Sequence, residues 1–232
     1  MMSRVSARAR GRFITFEGLD GCGKSTQLHR LGEVLRAGGI DVIKTREPGG
    51  TAIGERIRSI VLDSATAGLF PRAELALLFA SRSQQVHELI LPALQIGRWV
   101  LCDRFTDSSE AYQGGGRMLG SEAVLTMHRI TCGTLQPDLT ILMDSDVAAS
   151  VARARRRNLS KVATSAGGDA DENRFEQENQ AFFTRVHDAY LAIAKRDAHR
   201  VLMLDARRQP DIVHAEIVEA VRQRFLGAAK SA

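Results

Sequence analysis

The chain has 232 residues, 44% hydrophobic and 25% charged, which excludes a wholly disordered protein and suits one α/β domain with a full core. The net charge is +5. Arg4, Arg8, Arg10 and Arg12 supply much of it with no acid among them, so residues 1–11 read as a solvated basic tail and the body as nearly neutral.

The first element is an apolar strand, Phe13–Glu17, which runs into Gly18-Leu19-Asp20-Gly21-Cys22-Gly23-Lys24-Ser25-Thr26 and then a helical pattern over residues 24–37. A strand, a Gly-x-x-x-x-Gly-Lys-Ser turn and a helix in that order form a phosphate-binding loop. Its glycines let backbone N–H groups curl around phosphate oxygens, Lys24 reaches the β- and γ-phosphates, and the Ser25 hydroxyl is placed to ligate Mg²⁺. The positive end of the following helix adds to the attraction. Asp20 is the odd member, a carboxylate facing phosphate territory.

Further strands are predicted at residues 41–45, Trp99–Asp103, Leu139–Asp144 and 200–204, and helices at residues 51–63, 72–96, 121–132, 146–157, 174–196 and 210–226. The alternation predicts a parallel sheet covered by helices on both faces, a three-layer sandwich. Sites on such sheets lie beyond the carboxyl ends of the strands. That rule gathers the phosphate loop, Arg46-Glu47-Pro48-Gly49-Gly50, Asp103-Arg104 and Asp205-Ala206 on one rim. Residues 158–173 lack helical periodicity and are rich in small polar residues, with Arg153, Arg155, Arg156 and Arg157 before them and Arg174 after. The reading is a lid over about residues 153–174, inside a single domain of residues 12–226 that leaves residues 227–232 as a C-terminal tail.

Three cysteines, Cys22, Cys102 and Cys132, stand at irregular spacing with no Cys-x-x-Cys pair, which favours neither a disulfide framework nor a zinc site. No apolar run approaches the ~18 residues of a membrane span, and the N-terminus lacks an apolar signal core. The expectation is a cytoplasmic protein without a membrane partner. With 5% aromatics, no basic-aromatic surface for nucleic acid stands out either. A GTPase would need an Asn-Lys-x-Asp guanine reader, which is missing. Small-molecule phosphoryl transfer remains, with Arg46 and Arg104 as clamps for an acceptor phosphate and Asp103 as a metal-holding carboxylate.

Together, the residues 16–26, Thr45-Arg46-Glu47-Pro48-Gly49-Gly50-Thr51, Asp103-Arg104-Phe105, Ala111-Tyr112-Gln113-Gly114 and Arg174-Phe175-Glu176 resemble the bacterial thymidylate kinases, in that family's order and spacing. The resemblance covers about residues 12–226. It implies a nucleoside monophosphate kinase fold of five parallel strands, ATP and Mg²⁺, thymidine 5′-monophosphate (dTMP) as acceptor, and a homodimer. By the same resemblance Gly18, Asp20, Gly21, Cys22, Gly23, Lys24, Ser25 and Thr26 surround the ATP phosphates, with Asp205 and Ala206 bordering the adenine. Asp20 matches the residue that binds the sugar 3′-hydroxyl, Arg46 and Arg104 the acceptor-phosphate contacts, and Arg82 the arginine that binds the thymine carbonyl. Ser109 and Gln113 lie on the base-reading segment, and Tyr112 matches the ring that disfavours ribose.

The resemblance also implies a lid arginine as the transition-state cation, Arg153 first and Arg157 second. One departure stands out: where the family carries an aromatic four residues before the base-reading arginine, this chain has Leu78, with Phe79 next to it. Either of the two is a candidate for the base contact. The lid insertion is longer than usual. A kinase of the same architecture acting on another nucleoside monophosphate or on a deoxynucleoside is the alternative reading, and a non-catalytic nucleotide-binding or nucleic-acid-associated protein, suggested by the basic tail, the third.

Overall fold

A computed structural model describes residues 9–164 and 174–227. Five parallel strands form the centre: β1 (Phe13–Glu17), β2 (Val42–Arg46), β3 (Trp99–Asp103), β4 (Leu139–Asp144) and β5 (Val201–Asp205), in the order β2-β3-β1-β4-β5. β1, β3 and β4 are apolar runs buried almost throughout, as strands covered on both faces must be. Helices α1 (Lys24–Ala37) and α9 (Pro210–Val221) cover one face, where Ile14, Phe16 and Leu101 meet Leu28, Leu31 and Ile217. On the other face Phe13, Val100 and Cys102 pack against α3 (Pro71–Gln85) and α6 (Ser121–Cys132), with Phe79 and Val124 at the contact. Helix α8 (Gln180–Arg196) extends that layer through Phe182, Phe183, Val186 and Tyr190. The three-layer sandwich expected from the alternation is the one observed.

Local chemistry sets the element ends. The Thr51 side chain accepts from Gly54 N and opens α2 (Ala52–Leu62); Asn179 does the same for α8 through Phe182 N. β2 and β5 each sit one residue later than expected, so Arg46 and Asp205 close their strands. The helix expected over residues 72–96 is divided: α3 gives way to a π-helical turn, Val86–Ile90, and then α4 (Leu91–Gln95). Pro92 has no N–H to return to the preceding turn, and the wider turn ahead of it accommodates that loss.

Four expectations need correction. Residues 106–116 form α5 (Thr106–Ser109) and a second π turn, Glu110–Gly116, neither of which was expected. α7 (Val147–Thr164) continues seven residues past its expected end at 157, since each added residue of a formed helix gains a bond at little cost and Leu159, Lys161 and Ala163 are good formers. The helix expected from residue 174 starts at Gln180, after a 3₁₀ turn at Phe175–Gln177. The tail boundary also moves. Gly11 N donates to Leu94 O at 2.9 Å and Arg10 pairs with Asp138 at 3.1 Å, so residues 10 and 11 belong to the body; residues 1–8 of the expected tail, 228–232 of the C-terminal tail and 165–173 of the expected lid lie outside the described residues.

Candidate active site

The turn between β1 and α1 has Gly18, Gly21 and Gly23 at positive φ, a conformation that side-chain-bearing residues rarely adopt. At Gly21 a Cβ would also stand 2.5 Å from the Ser150 carbonyl oxygen of α7, so the loop lies against that helix with no room to spare. Lys24 Nζ donates to the carbonyls of Gly18 at 3.0 Å and Leu19 at 2.8 Å, crossing its own loop. Ser25 and Thr26 are exposed at the first turn of α1, and the Ser25 hydroxyl donates to Asp103 Oδ2 at 2.5 Å. Register brings them together, because β3 pairs with β1 so that Asp103 stands beside Phe16 at the strand ends.

Arg104, the next residue, has φ 75°, an unfavourable conformation for a non-glycine residue and one that clusters at functional sites. Its guanidinium donates to Asp20 Oδ1 at 2.8 Å, Tyr112 OH at 3.2 Å, Ser108 Oγ at 2.9 Å and Tyr190 OH at 3.3 Å. Tyr112 OH also donates to Asp20 Oδ2 at 3.3 Å. Beneath them lies Glu17, fully buried, whose carboxylate accepts from Phe105 N at 2.7 Å, Tyr190 OH at 3.1 Å and Ser108 Oγ. Burial, and then the charge of Asp107, raise its pKa to about 7 against the opposing pull of Ser108 and Arg104.

A second cluster sits on α3. Arg82, buried, donates to Glu47 Oε2 at 2.5 Å, Ser109 Oγ at 2.9 Å and Phe105 O at 3.1 Å, and its guanidinium lies 4.4 Å from the Phe79 ring centre. Among the described residues, Arg82 Nη1 and Glu47 Oε1 are buried without a hydrogen-bond partner, an uncommon state for buried polar atoms. Phe79 is 0% exposed and packed in the core, whereas Leu78 beside it is 8% exposed. Gln113 Nε2 donates to Glu74 Oε1 at 2.8 Å. On α7, Arg153 donates to Gly21 O of the phosphate loop at 2.8 Å and to Ser150 Oγ at 3.0 Å. Arg155 instead donates to the carbonyls of Glu176 and Glu178.

A sequence model of the thymidylate kinase family matches residues 16–217. The chain belongs to the thymidylate kinase family. It is 47% identical to the thymidylate kinase of Alkalilimnicola ehrlichii, over 91% of this chain and 93% of that one. Identity to the Pelobacter propionicus thymidylate kinase is 45%, over 93% and 96% of the two chains. The crystal structure of the Ehrlichia chaffeensis thymidylate kinase superposes with a TM-score of 0.70 at 30% identity, covering 91% of this chain and 99% of that one. Its five parallel strands and flanking helices are thus the nucleoside monophosphate kinase fold that the resemblance implied.

As a thymidylate kinase family member the chain is an ATP-using phosphotransferase. The structure brings Asp20, Lys24, Ser25, Asp103, Arg104, Tyr112 and Arg153 around the phosphate loop and Arg82 and Ser109 together in the second cluster, while Gln113 pairs with Glu74 and Leu78 stands on α3 four residues before Arg82. Arg46 stands apart on the edge strand, 55% exposed and paired with Glu55 at 3.1 Å. Asp205 and Ala206 lie at the opposite edge, where hydrogen bonds from Arg207 hold the Asp205 carboxyl down to about 2 and Ala206 N donates to Asp144 O at 2.7 Å. The Arg157 side chain lies outside what is described. Sequence reasoning did not single out Glu17, Glu47, Glu74, Ser108 or Tyr190. The available signal was Glu17 itself, an acid closing an otherwise apolar strand next to the phosphate loop.

Proposed function

We propose that these residues transfer the γ-phosphoryl group of ATP to the 5′-phosphate of dTMP, giving thymidine 5′-diphosphate and ADP. The observation that carries this assignment is the Asp20–Arg104 pair at 2.8 Å, which ties the donor's loop to the acceptor's clamp. With ATP bound, Lys24 releases the loop carbonyls and turns to the β- and γ-phosphates. Arg104, with Arg46 reaching in from the edge strand, holds the acceptor phosphate in line, and Asp20 takes the sugar 3′-hydroxyl. Tyr112 crowds the 2′ position. Arg82 Nη1 donates to the thymine carbonyl while Leu78 packs on the base. An acceptor phosphate oxygen forms the new bond to the γ-phosphorus as the bond to the ADP oxygen breaks. That oxygen is nucleophilic enough without a general base, so positioning and charge neutralisation supply the catalysis.

Ser25 Oγ and Asp103 Oδ2 are two hard oxygen ligands side by side, a set that fits Mg²⁺, which takes one or two protein oxygens and completes its shell with water and phosphate. When bound, it neutralises charge on the β- and γ-phosphates. Arg153, already against the loop, is the transition-state cation in this reading. Asp205 and Ala206 border the adenine. Among the described residues no helix is long and apolar enough to cross a membrane, which agrees with a cytoplasmic enzyme, and we take it to act as a homodimer with no nucleic-acid partner. The test is turnover of purified protein with ATP, Mg²⁺ and a panel of nucleoside monophosphates. dTMP is expected to give the highest kcat/KM, and a preference for cytidylate or guanylate would overturn the substrate while leaving the fold.

A further inference from the structure

Glu74, in the first turn of α3, is fully buried and collects three donor side chains from two distant segments, Gln113 and Arg117 from one and Arg174 from the other. Oε1 accepts from Gln113 Nε2 at 2.8 Å and Arg117 Nε at 3.2 Å, and Oε2 from Arg117 Nη2 at 3.1 Å and Arg174 Nη2 at 2.7 Å. Arg174 is itself buried, and its backbone N and Nε donate to the carbonyls of Leu62 and Val61 at the end of α2. The Arg174-Phe175-Glu176 motif thus feeds its cation into the helix that carries Leu78 and Arg82.

The consequence for Gln113 is chemical. A carboxylate offers acceptor lone pairs only, so the Gln113 amide has to point its NH₂ at Glu74 and its carbonyl oxygen away. Among the described residues, Gln113 Oε1 has no hydrogen-bond partner. Gln113 follows Ser109, the partner of Arg82, by four residues on the same buried segment, and Glu74 precedes Arg82 by about two turns on α3. Thymine and uracil carry a donor, N3–H, on the ring edge where cytosine carries an acceptor. We infer that Glu74 is a specificity-determining positioning residue, which fixes the Gln113 amide so that the pocket presents an acceptor to N3–H and rejects cytosine. This rests on the assignment of the pocket to dTMP.

The test compares kcat/KM for dTMP and deoxycytidine 5′-monophosphate in wild type, Glu74→Gln and Glu74→Asp, with KM for ATP measured alongside. A glutamine at 74 can donate as well as accept, which frees the Gln113 amide to turn over. The dTMP preference is expected to fall about tenfold or more, the scale of one hydrogen bond gained or lost, with KM for ATP unchanged and part of the preference restored by Glu74→Asp. Equal losses for both substrates, or no loss, would leave Glu74 a structural residue and overturn the inference. Should Glu74→Gln fail to fold, side-chain amide exchange by NMR in wild type decides, with the Gln113 resonance assigned through its loss in Gln113→Met. Slow exchange supports a carboxylate-bound NH₂, and fast exchange overturns it. Wild type that does not prefer dTMP would sink the assignment of the pocket; wild type that does, with an unchanged ratio in the variants, sinks only the role of Glu74.

Discussion

Ser25 Oγ and Asp103 Oδ2 share a 2.5 Å hydrogen bond across the carboxyl ends of β1 and β3. The pairing of Phe16 with Asp103 sets the carboxylate at the head of α1, so the two oxygens stand side by side. Asp103→Asn keeps the shape and removes the charge that a divalent cation needs. The expected outcome is a kcat lower by about 10²-fold or more, as for loss of a transition-state electrostatic contact, with a higher Mg²⁺ concentration for half-maximal rate. Steady-state kinetics over a Mg²⁺ titration checks both.

Leu78 and Phe79 are both buried, but of the two only Phe79 belongs to the core cluster beneath β1 and β3. The Phe79 ring is enclosed by the core and backs the Arg82 guanidinium at 4.4 Å, so Phe79→Ala is expected to cost about 3–5 kcal/mol of stability in denaturant unfolding. Leu78→Phe is expected to lower KM for dTMP about three- to tenfold, from the roughly 0.5–1.5 kcal/mol that a well-placed aromatic pair adds, with KM for ATP unchanged. An unchanged KM for dTMP would place the base elsewhere.

Two buried titrating groups oppose each other. Glu17 has its pKa raised from 4.5 to about 7. Through that window the folded chain keeps a proton that the unfolded chain has released, so the Glu17 contribution to stability falls as pH rises, by about 3 kcal/mol in all. His128, whose Nδ1 lies 2.8 Å from Thr106 Oγ1, is lowered from 6.5 to about 4 by burial and then by Arg82. Between those values the unfolded chain binds the proton that the folded chain refuses, so its contribution grows as pH rises, again by about 3 kcal/mol. Unfolding measured without nucleotide from pH 4 to 8 should separate them. The stability of Glu17→Gln relative to wild type is expected to rise with pH across 4.5–7, and that of His128→Asn to fall across 4–6.5. A flat difference for either variant removes that group from the pH dependence.

The sheet was legible because β1, β3 and β4 are apolar on both faces and the glycine-rich turn has one geometry. Residues 106–116 were not, and the reason is the site itself. Thr106, Asp107, Ser108, Ser109, Glu110 and Gln113 are all buried, so polarity no longer marks the outer face and the helical period disappears. Close packing hides the rest, since a Cβ at Gly116 would stand 2.6 Å from the Phe182 ring and one at Gly115 2.7 Å from Ala189 Cβ. Three glycines in a row read as a loop, yet they let the π turn lie directly on α8. Glu74 was missed for another reason. Its partners Arg117 and Arg174 are 43 and 100 residues away, and a lone acid near a helix start reads as a solvated charge.

Arg153 is the arginine of α7 that meets the phosphate loop. Its Nε donates to Gly21 O at 2.8 Å, and the missing side chain at Gly21 lets α7 lie directly against the loop. Arg155, two residues on, is turned about 200° around the helix and is held by Glu176 and Glu178 carbonyls, away from the loop. In the proposed reaction charge builds on the transferring phosphoryl group and on the leaving ADP oxygen in the transition state, and the proposed role of Arg153 is to meet that charge from its place against the phosphate loop. Removing such a cation affects the transition state more than either ground-state complex. Arg153→Ala is therefore expected to lower kcat about 10²–10³-fold while KM for dTMP changes less than about threefold, with Arg155→Ala close to wild type in both. A raised KM for dTMP at unchanged kcat would make Arg153 a binding residue. Lysine at 153 restores the charge without the planar fork, so recovery in Arg153→Lys would assign the effect to charge, and its failure to the two-pronged geometry.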